Sequence, residues 1–472
     1  MLKKTLKWIG RILLGLAILV ALFYIVENAR GKYAWEQYKR ECAAKGINLD
    51  WQSLIPPPIP DDENIAMAPI FQEMFASPPS RWIRLPSPSF TPDPNTIRRP
   101  VWQTGRWEGL APWRVALSND NLLVALSVYD DDLQEVEEAF KRPSFRLEAW
   151  DRARITITHP EPYGFRLPIV NNTLPPLLSI YDLRARAKHE ASQYDGMLED
   201  ILIGFRIANL CQEDPQVISA FFRAGVSRRM CTPLWLGFSG RVWNAQQLAT
   251  LQSMLEEINL AEHALRANQF ERAQCAYLFL LPHRSFTYND VLLRRTPAWY
   301  YAIPRGWFYQ NALRFARFYD QQECLIHTDS QWFDVVQMKN VGDPKAYPSF
   351  IGIGDFLLNH FLSMIQPVVL AQATLHQAVI ACAIERYRLE HGRIPERLDK
   401  LVPHYLAKIP CDPCDGQPMR YKPTGDNNAI LYSIGWNCID DGGELGIKKI
   451  NGVDVADSDS GDWVWRLGAE GD

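Results

Sequence analysis

Apolar and polar positions divide this chain into one unbroken apolar run, a long series of helix-period segments and a short strand-rich end. Residues 8–26 are apolar except for Arg11, with no polar interruption from Ile12 to Val26, and Glu27 closes the run. At about 1.5 Å per helical residue this reaches about 28 Å, close to a bilayer core of about 30 Å. Arg11 sits near the start of the run, where a long cationic side chain can reach the headgroups. The pattern predicts an uncleaved transmembrane anchor over residues 1–27. The rival is a cleaved signal peptide, with a shorter apolar core and a small-x-small site. Phe23-Tyr24-Ile25-Val26-Glu27-Asn28-Ala29 is a poor site of that kind. Lys3, Lys4, Lys7 and Arg11 precede the span, so the positive-inside rule keeps the N-terminus cytoplasmic and exports the rest. Arg30, Lys32, Lys39 and Arg40 on the far side weaken that asymmetry.

Residues 28–115 read as a juxtamembrane helix followed by a proline-rich extended segment. Tyr33, Trp35, Tyr38 and Cys42 are the apolar positions of the helix, and the prolines of 55–60 end it by fixing φ and removing donors. Asp61-Asp62-Glu63-Asn64 then caps a short helix holding Met67 and Met74. Residues 116–365 read as a helical body. Ser118-Asn119-Asp120 opens a helix running through Leu122 and Leu126 toward Phe140, and Arg154–Thr158 alternates like a short strand. From 173 to 281, positions such as Leu198, Ile201, Leu202 and Phe205 fall on one helical face, and short polar turns between segments predict antiparallel hairpins. Helical patterns continue over 306–324, 330–338 and 350–389, the last with a break at Pro367. Residues 366–472 form a final unit: the end of that helix, a proline-bounded connector, strands and an acidic loop. The expected fold class is mainly α, built of antiparallel helical hairpins, with an N-terminal transmembrane helix and a small C-terminal α+β domain.

Net charge is −4 with 50 basic and 54 acidic side chains intermixed, which points to no nucleic-acid partner. Nine cysteines are too few for a disulfide scaffold in 472 residues, and Cys211, Cys231, Cys275 and Cys382 sit in apolar helical contexts as small core residues. A search for chemistry is mostly negative. Gly352-Ile-Gly354 is too short for a dinucleotide fingerprint, and Gly237-Phe-Ser-Gly240 lacks the spacer of a nucleophile elbow. Asp130-Asp131-Asp132 points three ways around a helix, which suits a helix start or a solvated face, not a metal. His189 and His376 lie in helical contexts without paired ligands. Cys411-x-x-Cys414 encloses Asp412-Pro413 in a turn, and only Cys438 is near it. Three sulfurs make a poor zinc site. A disulfide from Cys438 to Cys411 or Cys414, if the unit is exported, stands beside free thiols.

The C-terminal residues carry a resemblance. A helix ends in Tyr387, His391, Gly392, Arg393 and Pro395, where Gly392 suits a left-handed cap. Leu398, Leu401, Val402 and Pro403 pack a short second helix, and Asp412, Pro413, Asp415, Gly416 and Pro418 turn the chain ahead of Tyr421. Leu431-Tyr432-Ser433-Ile434-Gly435 precedes an acidic loop. This order resembles the head of the major pseudopilin of type II secretion over about a fifth of the chain. The resemblance implies calcium in the terminal loop, with Asn437, Asp440, Asp441, Asp459 and Asp462 as ligands. Calcium takes about six to eight oxygens at about 2.4 Å. An acidic solvated tail is the other reading. The chain departs from the pseudopilins in lacking the prepilin peptidase motif and in placing some three hundred residues between anchor and head. Together with Arg30, Gly31, Lys32, Ala34, Trp35, Glu36, Tyr38, Lys39 and the run from Ile55 through its prolines to Asp61 and Asp62, this head is similar to an uncharacterised family of anchored proteins in planctomycete- and verrucomicrobial-type bacteria.

The expectation is a single-pass protein of the inner (cytoplasmic) membrane with its bulk exported to the periplasm. Its partners are the lipid bilayer and unidentified envelope proteins. The role is non-enzymatic, in protein interaction or structure, and linked to secretion or pilus-like assemblies. The alternative is an envelope hydrolase whose carboxylates and histidines meet in a cleft of the helical body.

Overall fold

Residues 2–75, 119–146, 167–280, 302–341, 353–450 and 453–468 are described by a computed structural model. Helix α1 spans Leu2–Ala44, so the apolar run and the juxtamembrane helix form one rod. It is followed by α2 (Pro69–Phe75), α3 (Asn119–Leu126), α4 (Asp130–Ala139), α5 (Leu167–Glu190), α6 (Tyr194–Asn209), α7 (Val217–Ser239), α8 (Ala245–Glu256) and α9 (Leu260–Leu280). Then come α10 (Arg305–Glu323), the short strands β1 (Ile326–His327) and β2 (Trp332–Phe333), α11 (Val335–Val341) and α12 (Ile353–His391). Strands β3 (Arg420–Gly425), β4 (Asn428–Ser433), β5 (Leu445–Ile450), β6 (Val453–Gly461) and β7 (Trp463–Leu467) close the chain. The protein is therefore mainly helical, with small antiparallel sheets.

Among the described residues two helices are long and apolar enough to cross a bilayer, and burial separates them. The most apolar stretch of α1 is 0% buried in protein, whereas that of α12 is 94% buried. Helix α12 is the core helix. One cluster joins Ile201 and Phe205 of α6, Trp235 of α7, Leu248 of α8, Ile380 of α12, Leu431 of β4 and Trp465 of β7. The boundary expected between 365 and 366 falls inside α12. Pro367 does not break this helix, which runs through it to His391. A proline inside a helix costs about 3 kcal/mol, and the apolar contacts around α12 outweigh that.

Polar side chains on α12 serve its neighbours. Gln372 Oε1 accepts the Leu260 N–H at the start of α9 (2.8 Å), and Gln377 Nε2 donates to the Trp463 carbonyl of β7 (2.7 Å). A second cluster packs Phe71 of α2, Phe140 beside α4, Tyr181 of α5 and Ile207 of α6. The helix expected through 118–140 is instead α3 and α4, separated by a 3-10 turn at Ser127–Tyr129. Asp130, Asp131 and Asp132 occupy the first turn of α4, where the helix dipole favours negative charge. The segment 330–338 opens with β2, paired antiparallel to β1, before α11 begins. The Arg154–Thr158 strand lies outside the described residues.

At the C-terminal end, Gly392 takes φ +71° and donates its N–H to the Arg388 carbonyl (2.8 Å), terminating α12. Leu398–Leu401 forms a 3-10 turn with both leucines buried. Sheet order is β3-β4-β7, antiparallel throughout, with Tyr421 opposite Leu431 and Leu431 opposite Trp465. Ala429, Leu431 and Ser433 alternate inward along β4. The β3–β4 turn places Asp426 and Asn427 at positive φ, a conformation Asp and Asn tolerate and hairpins favour. Between β4 and β7 the chain makes the separate β5–β6 hairpin.

Candidate functional site

The acidic loop gathers four of the five residues read as calcium ligands. Asp462 is buried, accepting the Asp441 N–H at 3.3 Å on one oxygen and the Gly443 N–H at 2.6 Å on the other. Asn437 Nδ2 donates to Asp441 Oδ2 (3.2 Å), and Asp440 Oδ1 accepts the Gly442 N–H (3.0 Å). Asp440 Oδ2 faces Arg420 Nε at 3.7 Å. Asp459, on β6, is instead joined to Gln366 on α12, Nε2 to Oδ1 at 2.6 Å. Burial pushes Asp462 up to about 6; the two N–H bonds oppose this, and Asp440 and Asp441 add to it. A divalent cation would relieve that repulsion. It would first have to displace the N–H donors already on the carboxylates, and among the described residues no group of three or more His, Cys, Asp or Glu is placed to hold a metal ion. In this arrangement Asp462 closes the loop, each of its oxygens taken by a backbone N–H.

Beneath the loop lies a charged hub missed by the sequence reading. Asp412, with no exposed surface, accepts Cys414 N–H (2.9 Å) and Ser433 Oγ–H (2.6 Å) on Oδ1, and Ile434 N–H (2.9 Å) and Arg420 Nη1–H (2.5 Å) on Oδ2. Arg420 also reaches Asp415 at 2.6 Å. Thus the Asp412-Pro413 turn, the β3–β4 pair and the acidic loop are tied through one carboxylate and one guanidinium. Cys411, Cys414 and Cys438 are free thiols. Burial pushes Cys411 up to about 11, and Cys414 and Cys438 upward as well. A reactive, redox-active cysteine shows the opposite shift.

His376 and His189 sit in different surroundings. His376 is held between the Cys411 carbonyl (2.7 Å from Nδ1) and Gln331 Oε1 (2.8 Å from Nε2), and burial lowers its pKa to about 4. His189 lies against the end of α7 at Gly240.

A cluster of titratable groups does form in the helical body, at the start of α7. Asp214 Oδ1 accepts the Gln216 N–H (3.0 Å), its Oδ2 takes the Ser219 hydroxyl, and Glu271 of α9 receives the Val217 N–H at 3.5 Å. His263 Nε2 donates to the Asp214 carbonyl oxygen (2.7 Å), and burial lowers this histidine to about 3, so the ring is neutral. Burial pushes Asp214 up to about 7, its bonds to Ser219 and Gln216 opposing and Glu271 adding; burial likewise pushes Glu271 up to about 7. Glu271 takes the first N–H of α7 and Asp214 the N–H of the residue before it, and the cost is two acids crowded together.

No protein-family model, curated protein or solved structure matches this chain.

The acid pair gives one measurable consequence. Folded, these carboxyls keep their protons up to about pH 7, whereas in the unfolded chain carboxyls release them near about pH 4. Their contribution to stability is full below the unfolded value and is lost as pH rises through 7. Glu271→Gln is expected to melt above the parent at pH 8 by about 1 kcal/mol after solvent screening. The advantage should vanish at pH 5. A gap independent of pH would refute the assignment.

Proposed function

We propose that this chain is a single-span protein of a bacterial inner membrane that displays its helical body and C-terminal unit on the exported side for contact with other envelope proteins. One observation carries the reading. The most apolar stretch of α1 has none of its residues buried in protein, while the continuing half, from Glu27 to Cys42, is packed onto α10, with Trp35, Tyr38 and Cys42 sharing a cluster with Ala276 of α9. A rod built this way holds the body at a fixed position against a membrane. The order of the C-terminal elements supports a contact module comparable to a pseudopilin head, linked to secretion or pilus-like assembly. The chain is expected to stay with membranes through alkaline carbonate and to leave them in detergent. A phosphatase fused after residue 472 is expected to be active, since this enzyme matures only outside the cytoplasm. Extraction by carbonate would sink the anchor, and an inactive phosphatase with a fluorescent cytoplasmic reporter would reverse the topology. Detergent pull-downs after cross-linking should return a stoichiometric envelope partner; repeated recovery of none would remove the contact role.

Calcium at the acidic loop belongs to the same proposal and has its own test. Selective binding to the folded state raises stability, so the full chain in detergent should melt higher with calcium than with chelator. Equal melting would leave Asp462 as the loop's own closure and remove calcium. The second reading, an envelope hydrolase, draws on Asp214 and Glu271, whose near-neutral values suit general acid–base work. Hydrolysis of a model ester, peptide or glycoside that is lost in Glu271→Gln would establish it.

A further inference from the structure

We propose that the N-terminal edge of α10, residues 302–310, is a second membrane contact, seated in the headgroup layer of a phospholipid bilayer beside the point where α1 emerges. The inference rests on the anchor reading and adds which face of the body meets lipid.

Its ground is depth along α1. The Tyr24 hydroxyl donates to the Ala302 carbonyl, and the Phe23 ring meets the Trp307 ring edge-on with centroids 6.1 Å apart. Phe23 and Tyr24 both belong to the apolar run that ends at Val26. Phe23 lies one turn before Glu27, about 6 Å deeper along the helix axis. A residue that packs on Phe23 therefore reaches the boundary between headgroups and hydrocarbon. Glu27, the first polar residue, is bonded to Trp307 Nε1 at 3.0 Å. Trp307 thus has its ring against an apolar residue of the span and its N–H on the first polar one. That division of surface suits tryptophan at a membrane interface.

The depth is fixed and the charge fits. Gly306 N–H is bonded to Asn28 Oδ1 at 2.8 Å, and a Cβ at Gly306 would lie 1.9 Å from the Glu27 carbonyl oxygen, so α10 and α1 cross with backbones in contact. The edge cannot lift from the bilayer unless the rod moves with it. Arg305 and Arg30 are exposed on the two helices at this level, where cationic side chains favour phosphate headgroups.

The test uses the full chain reconstituted in phosphatidylethanolamine–phosphatidylglycerol vesicles that carry a phospholipid with a photoreactive diazirine near the glycerol. After irradiation, adducts are mapped by mass spectrometry. Adducts are expected on peptides from 5–26 and also on 302–310, with a several-fold loss at 302–310 in Trp307→Ser while 5–26 keeps its yield. Adducts on 5–26 with none on 302–310 would overturn this inference and leave the anchor standing. No adducts on 5–26 would overturn the anchor and the inference together.

Discussion

Asp412→Ala is expected to unfold the C-terminal unit, lowering stability by about 3–5 kcal/mol, the range for removing one partner of a buried charged network. The carboxylate has no exposed surface and takes four donors: two backbone N–H groups, a hydroxyl and Arg420. Without it, the Cys414 and Ile434 N–H groups and the Ser433 hydroxyl are buried without their acceptor, and Arg420 keeps its charge with less to offset it. The loss should spread. Leu431 and Trp465 of the sheet share the core with α12, and Trp235 of α7 donates to the Arg466 carbonyl at 2.8 Å. One melting transition, displaced downward by tryptophan fluorescence and by far-ultraviolet dichroism alike, is the outcome to look for. Asp412→Asn keeps the shape and one acceptor oxygen and should cost less. A variant Asp412→Ala within about 1 kcal/mol of the parent would show that the hub does not hold the unit together.

Gly306→Ala is the second substitution with a large expected effect. The added Cβ would meet the Glu27 carbonyl oxygen at 1.9 Å and Asn28 Cα at 2.8 Å, both backbone, so neither can turn away. From the other side, a Cβ at Gly31 would lie 2.1 Å from the Gly306 carbonyl oxygen. The helices must separate, and overpacking of this kind costs about 1–3 kcal/mol or more. Separation also weakens the bonds along the crossing, Tyr38 to Asp320 at 3.1 Å and Arg317 to Glu41 at 2.7 Å. Amide exchange over residues 27–44 of the full chain in detergent is expected to accelerate by about tenfold or more, since about 1.4 kcal/mol corresponds to a factor of ten. Exchange over α12 should change little. Unaltered exchange at 27–44 would mean that the close crossing at Gly306 does not hold the rod to the body.

Much of the local architecture was legible. The apolar run, the helical face through Leu198 and Phe205, the Asp130–Asp132 helix start and the Gly392 cap each depend on residues within a turn or two of one another, and each is found. The acidic loop was legible as a gathering of Asn437, Asp440, Asp441 and Asp462. It was not legible that their oxygens face the loop's own N–H groups, or that the intervening hairpin carries Asp459 to Gln366. Pro367 gave a misleading signal, because a break read from proline alone leaves out the packing that surrounds α12. The Asp214, Glu271 and His263 cluster gave no signal, since Glu271 lies 54 residues beyond the N–H it caps.

By itself the sequence determined what nearest neighbours determine: which stretches favour helix, which segments are apolar enough to span a bilayer, and where the chain turns. Tertiary structure decided which apolar helix is exposed and which is the core, since α1 and α12 pass the same test of length and composition. It decided that residues 278 apart, Asn28 and Gly306, lock the rod to the body. It also decided that Asp412 is a structural hub. Periodicity and capping are short-range preferences of the backbone, whereas burial and charge pairing depend on which distant segments share one interior.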